Sequence, residues 1–334
     1  MTARERSKRF IANDTVDRPP FHPIVMRIAA KHAGIPYGKF CTDAKSKAVG
    51  YVRYADDFGM DWVTVMSDPY TEATAFGLPV EFPEDDLPKD TAHIIESIAD
   101  IARLKKPSVE NSARPMAAVD TIREYKKMSR EEFIVGWVEG PMAEYADLRG
   151  LSSACTDLMD DPKAVCDAAD IINAFAKEFA SAQIAAGADC IGIGDAACSQ
   201  IGPDLYRELF FPREKELVDH IHAQGALAKL HICGNTTALL PDMIRTGADI
   251  IDVDHLVKDM SAFAPLLGKK QVFSGNSDPV AVIERGDERA IRESVASCFQ
   301  ASRGRTITSA GCEIPPDARD VSMKIYRDAA YSLR

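Results

Sequence analysis

Short runs of β-branched and apolar residues recur along the chain with longer amphipathic stretches between them, a pattern that predicts strands alternating with helices. The apolar runs are Phe21–Met26, Trp62–Met66, Phe133–Glu139, Cys190–Gly194, Leu227–Cys233, Ile250–Asp254, Val272–Asn276 and Thr306–Gly311. Stretches such as Pro162–Ala186, Asp204–Ala223 and Asp287–Ala301 keep helical spacing over three turns or more. Gly-Ala-Asp occurs at 187–189 and again at 247–249, each time between a helical stretch and an apolar run, where a C-cap glycine belongs. About 65 residues separate the second and third runs. They include the polar, proline-bearing stretch Gly77–Asp90, which predicts a small hairpin insertion.

Eight β-then-α units predict an α/β fold, a single (β/α)8 TIM barrel over residues 1–334. It would carry an N-terminal helical extension and an insertion between strands 2 and 3. An open doubly wound sheet would want a glycine-rich turn after the first strand, and Phe21-His22-Pro23-Ile24-Val25-Met26-Arg27 has none.

Composition narrows the function classes. With 40 basic and 51 acidic residues the net charge is −11, which disfavours the phosphate-neutralising face that nucleic-acid binding requires. No apolar run approaches the roughly 20 residues that span a bilayer, so no membrane segment is expected. The residues after the basic start hold Asn13, Asp14, Asp17, Arg18 and two prolines where a signal peptide needs an apolar core, which predicts a cytoplasmic protein. Eight cysteines scattered through a long chain do not form a secreted disulfide framework.

The most informative segment is Leu230-His231-Ile232-Cys233-Gly234-Asn235. Residues two apart on a strand share a face, so His231 and Cys233 can address one centre. They fall at the C-terminal end of the predicted fifth strand, where a barrel carries its chemistry. Cys312, at the end of the eighth, supplies a third ligand. An imidazole and two thiolates suit Zn²⁺, and three protein ligands leave a position for substrate. Core cysteines beside a hydrogen-bonded histidine are the competing reading of the same spacing.

His-Ile-Cys-Gly-Asn-Thr, followed 79 residues after Cys233 by Cys312 in Ala-Gly-Cys-Glu-Ile-Pro, resembles the zinc-dependent methylcobamide:coenzyme M methyltransferases of the uroporphyrinogen decarboxylase superfamily. The likeness covers nearly the whole chain. Gly140-Pro141 with Leu148-Arg149-Gly150, Gly187-Ala188-Asp189 leading to Asp195, and Gly275-Asn276 with Asp278-Pro279 look like that superfamily's strand-end segments. The resemblance implies a (β/α)8 barrel, zinc held by His231, Cys233 and Cys312, and a methyl group exchanged with a corrinoid, a methylcobamide acting as co-substrate. Where such a family offers a carboxylate after strand 6, this chain reads Asp252-Val253-Asp254-His255. Asp254 or His255 is thus a candidate fourth ligand, with solvation or a helix N-cap as the alternative for Asp254.

Three more residues sit at predicted strand ends or helix ends. Asp195 and Asn276 are placed to touch a ligand or to orient one, with turn residues as the plain alternative. Arg149 is placed to pair with an anionic group of cofactor or substrate, or simply to end a helix. His222 and Gly225 evoke a cobamide-binding signature, but the matching aspartate, Asp219, is one place out of register. A corrinoid would therefore arrive on a partner protein, a corrinoid protein, and a homo-oligomer is compatible with the pattern.

The expected activity is methyl transfer between that methylcobamide and a thiol such as coenzyme M. One alternative keeps zinc and demethylates a small donor, a methyl ether or methylamine, onto a corrinoid protein. Another is metal-free uroporphyrinogen decarboxylase, whose substrate carries eight carboxylates and needs a cationic cleft. Around the first strand only Arg18 and Arg27 offer one. A zinc-bearing barrel serving purely as a binding subunit is the non-catalytic alternative.

Overall fold

A computed structural model describes residues 1–128 and 130–333. Its strands are β1 (Trp62–Thr64), β2 (Val80–Glu81), β3 (Lys89–Asp90), β4 (Phe133–Glu139), β5 (Cys190–Gly194), β6 (Leu227–Ile232), β7 (Ile250–Val253), β8 (Val272–Gly275) and β9 (Thr306–Ile307). Seven of them form one parallel sheet in the order β1-β4-β5-β6-β7-β8-β9. β2 and β3 pair antiparallel, within the Gly77–Asp90 stretch between the first two sheet strands.

The expected first strand, Phe21–Met26, is not a strand. Only Phe21 bridges, in parallel, to Thr308. Hydrogen bonds from His22 N to Thr308 O, from Thr308 N to Pro20 O and from Asp61 N to Phe21 O join both edges of the sheet to residues 20–22. Pro20 and Pro23 lack the N–H that would extend the ladder on either side, so the eighth position is one bridge long.

The helix Pro162–Ala186 runs over its predicted span. Asp161 caps it by accepting from Ala164 N, Pro162 takes the first position, and Gly187 ends it at φ +116°. The stretch predicted as Asp204–Ala223 is broken. A short turn, Pro203–Leu205, leads into a π-helical segment, Tyr206–Phe210, before the α-helix Phe211–Ala223 begins. Pro212 has no N–H to give and its ring crowds the Glu208 carbonyl, which widens the preceding turn. The two Gly-Ala-Asp joints are equivalent in three dimensions: Asp189 accepts from Ile134 N and Asp249 from Ala228 N, each clamping the neighbouring strand where it starts.

Strand alternation sorts residues between two layers. Ile134, Ile191, Leu230 and Ile251 face outward into a continuous apolar core shared with the helices Pro162–Ala186 and Phe211–Ala223. Inward, Trp62, Phe133, Cys190, Ile250 and Val272 form a second cluster closed by Phe10 and Ile11 of the helix Ala3–Ile11. That helix caps the N-terminal end of the sheet and leaves the C-terminal end for loops. Among the described residues no helix is long and apolar enough to cross a membrane.

Candidate metal centre

The inward positions of β6 read Leu227, Lys229, His231 and then Cys233, one place beyond the strand. Leu227 packs on the apolar floor, and each later position stands nearer the C-terminal mouth. Cys312 reaches the same point from the loop after β9. Its neighbour Gly311 makes this approach possible, because a Cβ there would stand 2.3 Å from His255 N. The ligand atoms of His231, Cys233 and Cys312 all lie within 4.8 Å of one another. His231 Nε2 is 2.8 Å from Cys233 Sγ, and the two sulfurs are 3.6 Å apart.

Asp252, opposite His231 in the parallel register, fixes the imidazole from behind. Its Oδ2 is 3.2 Å from His231 Nδ1 and 2.6 Å from Lys229 Nζ. The side chains of Lys229 and Asp252 are 2% and 0% exposed. Burial alone would hold Asp252 protonated, but Lys229 and His231 outweigh it and keep the carboxylate ionised well below the usual range. Burial likewise opposes charge on His231, whereas Asp252 and Cys312 raise it to about 9. Cys312 is lowered to about 4, chiefly by the hydrogen bond from Cys233 and further by His231, against the effect of burial. Cys233 moves up, through its bond to Cys312 and through burial. Without a metal, then, the three groups share protons around one thiolate.

The donor set fits zinc. Two Zn–S bonds of about 2.3 Å at a tetrahedral angle hold their sulfurs roughly 3.8 Å apart, close to the 3.6 Å between Cys233 and Cys312. A carboxylate behind the imidazole is the usual support of a metal-binding histidine. The cluster lines a cavity of about 150 Å³, walled by Met26, Met66 and Trp137. Glu139, Pro69, Ala196 and Cys233 also line an adjoining cavity of about 500 Å³.

Residues 2–333 match the model of the family described as uroporphyrinogen decarboxylase (URO-D). The chain belongs to the URO-D family. It is 27% identical over 320 residues to the methylcobamide:CoM methyltransferase MtbA of Methanosarcina acetivorans, covering 94% of this chain and 93% of that one. It is 26% identical over 286 residues to a uroporphyrinogen decarboxylase of Tolumonas auensis, covering 82% and 79%. The solved structure of a methyltransferase from Methanosarcina mazei superposes with a TM-score of 0.90 at 20% identity, over 99% of this chain and 98% of that one. The seven-stranded parallel sheet is thus the barrel-like fold of URO-D-family proteins.

In this URO-D chain the other expected site residues stand outside the three-ligand cluster. Asp254 is buried, but Oδ2 accepts from Gly234 N (3.0 Å) and Oδ1 from Leu256 N (2.9 Å), so it clamps the loop that carries Cys233. His255 leans on Asp254, 2.9 Å from Nδ1 to Oδ1. Asn276 donates to the carbonyls of Val257 and Asp254 and accepts from Cys298. Asp195 is fully buried and accepts from Ala143 N and Met142 N at the start of the helix Pro141–Arg149. Arg149 is taken by Asp157 and by the carbonyls of Glu96 and Ile95.

The sequence reading passed over Lys229, Asp252 and Glu139. Lys229 lies two residues before His231, on the same strand face, and a lysine amid apolar residues was the signal. Asp252 had the same signature on the next strand. Glu139 closes an apolar strand and turns inward, where Oε1 accepts from Trp137 Nε1 at 2.8 Å.

Proposed function

We propose that this protein is a zinc-dependent methyltransferase that moves a methyl group between a methylcobamide, carried by a partner corrinoid protein, and a thiol. The observation that carries the reading is the His231, Cys233 and Cys312 cluster, within 4.8 Å at the strand ends and open to a cavity. The name of the Methanosarcina acetivorans relative, a methylcobamide:CoM methyltransferase, supports it. His231 Nε2 and the two Sγ atoms would hold the metal, which when bound supplies the positive charge that lets a substrate thiol ionise near neutral pH. Asp252 and Lys229 keep His231 turned toward the cysteines. Met26, Met66 and Trp137 exclude water from the reacting sulfur. In the transfer the carbon–cobalt bond breaks with its electron pair remaining on cobalt, and the thiolate sulfur forms the new bond to the methyl carbon.

The decarboxylase relatives raise the metal-free reading, and the charge of the site counts against it. A substrate with eight carboxylates needs a cationic cleft, yet among the described residues no Lys or Arg lines either cavity beside the cluster.

The test is metal analysis joined to turnover. Wild-type protein is expected to hold about one zinc per chain and to demethylate methylcobalamin in a thiol-dependent reaction. Cys233→Ala and Cys312→Ala are expected to lose both, while Cys155→Ala, in the helix Leu151–Asp160, keeps both. Full zinc in both cysteine variants refutes the site assignment, and a zinc-loaded protein that methylates no thiol refutes the activity.

A further inference from the structure

We propose that the small molecule exchanging its methyl group at this site carries a cationic group, an ammonium, at the end remote from the reacting sulfur, and not a sulfonate or carboxylate. This rests on the thiol methyltransferase reading and names the substrate class within it.

Besides His231 of the cluster, the walls carry one basic side chain, His93, whose Nδ1 stands 3.5 Å from Asp90 Oδ2, and the other charge-bearing residue types among them are acids. The cavity at the cluster is lined by Asp68, Glu139 and Glu313, and the larger one by Asp90, Glu139 and Asp147. Two of these carboxylates already have cations. Arg114 Nη2 meets Asp68 at 2.5 Å, and Arg27 Nε stands 3.6 Å from Glu313. The two buried lysines nearby are also committed: Lys47 donates to Val65 O and to Ser67 Oγ beside Asp68, and Lys229, below His231, is held by Asp252. Glu139 and Asp147 have no such partner. Glu139 lines both cavities, and its Oε2 has no hydrogen bond among the described residues.

Behind this wall the shortage of cations is plainer. Glu144 is 1% exposed, and neither of its carboxylate oxygens has a hydrogen-bond partner; Asp147 Oδ2 also lacks one. Buried polar groups of native proteins are paired, and a cluster of carboxylates with no cation among them is incomplete on its own terms. Burial pushes Glu139, Glu144 and Asp147 well up and Glu72 to about 7, each reinforced by a carboxylate neighbour. An ammonium entering the larger cavity would meet Glu139 and Asp147 directly and let them ionise. A sulfonate would meet the same carboxylates with no Lys or Arg to offset them.

Three thioethers that share one stem separate charge from everything else. They are 2-(methylthio)ethylamine, 2-(methylthio)ethanol and 2-(methylthio)ethanesulfonate, which lose no thiol proton on binding. Titration calorimetry with the zinc-loaded protein at pH 7 is expected to rank the amine at least ten-fold tighter than the alcohol, and the sulfonate weakest. In Glu139→Gln and in Asp147→Asn the amine-to-alcohol ratio is expected to fall at least five-fold while affinity for the alcohol stays nearly constant. Damage to the fold would weaken both together. Equal binding of amine and alcohol, tightest binding of the sulfonate, or a ratio unmoved in both variants overturns the proposal. Methylcobalamin turnover with the three parent thiols assigns the failure. A preference for the sulfonate thiol overturns the cationic substrate and leaves methyl transfer standing, whereas no transfer to any thiol overturns both.

Discussion

Replacing Asp252 by Asn keeps the side chain's shape and removes its charge, leaving the Lys229 amine at 2% exposure with no carboxylate beside it. Breaking a buried pair by neutralising one member costs about 3–5 kcal/mol, mostly the penalty of the stranded charge. A chain of 334 residues unfolds with an entropy of about 0.7 kcal/mol per degree, so Tm should fall by about 4–7 °C. Scanning calorimetry of chelator-treated wild type and Asp252→Asn measures this. In the double variant Lys229→Met with Asp252→Leu both charges are gone, and most of the lost stability should return. Zinc affinity should not return, because His231 still lacks the group 3.2 Å from its Nδ1, and loss of such a support weakens metal binding by about 10–100-fold. The pH dependence has a definite sign. Asp252 is held below its ordinary 3.8, so its stabilisation is complete above that pH and fades as the pH falls further. The gap between wild type and Asp252→Asn should therefore narrow in acid, and again as the pH rises toward about 9, where His231, raised by Asp252, gives up its proton. A Tm change under about 1 °C, or a double variant no more stable than the single one, refutes the account of the pair.

Two substitutions test the frame around the site. Phe10→Ala removes the ring that closes the apolar floor and should cost about 3–5 kcal/mol, seen as a lower Tm with zinc content unchanged; loss of zinc would show that the floor and the centre are not independent. Gly192→Ala would set a Cβ 2.3 Å from the Trp137 ring, which is pinned by the bond from its Nε1 to Glu139. The ring must swing toward the metal cavity, so the variant should lose about 1–3 kcal/mol and bind thioethers more weakly, and unchanged binding would refute that path.

The three proposed ligands were legible because each obeys a local rule. His231 and Cys233 obey the two-residue period of a strand, and Cys312 falls where the last strand run ends. The strand-end residues Asp195, Asn276 and Asp254 were legible only as to position. Whether a carboxylate at such a point faces a ligand or a backbone N–H depends on the loop opposite it, and here Ala143, Gly234 and Leu256 present N–H groups to those oxygens. The first expected strand fails because its prolines outweigh its apolar content. Phe21 bridges, and Pro23 has no hydrogen to continue. The acidic lining was invisible to spacing, since Asp68 follows β1 whereas Glu139 ends β4 and Asp147 lies in the next helix, Pro141–Arg149, and the two regions meet only in the fold.

Alternation along β4 and β6 links that lining to the centre. On β4 the inward residues rise from Phe133 and Val135 through Trp137 to Glu139, and on β6 from Leu227 through Lys229 to His231 and Cys233. The apolar floor is sealed by Phe10 and Ile11, so water reaches these strands only from the C-terminal mouth. Polar character is thereby confined to the upper half, where each charge either has a built-in partner or faces the cavity. Lys229 and Asp252 satisfy one another below His231 and Cys233, and the pair backs the imidazole without adding net charge beneath the cluster. Glu139 stands at the ligands' own level with one oxygen committed to Trp137 and the other open. A slip of one residue in β6 would turn Leu230 and Ile232 inward, bury three polar side chains among the helices and dissolve the centre. The same register that assembles the donor set therefore also fixes which unpartnered carboxyl oxygen a substrate meets beside it.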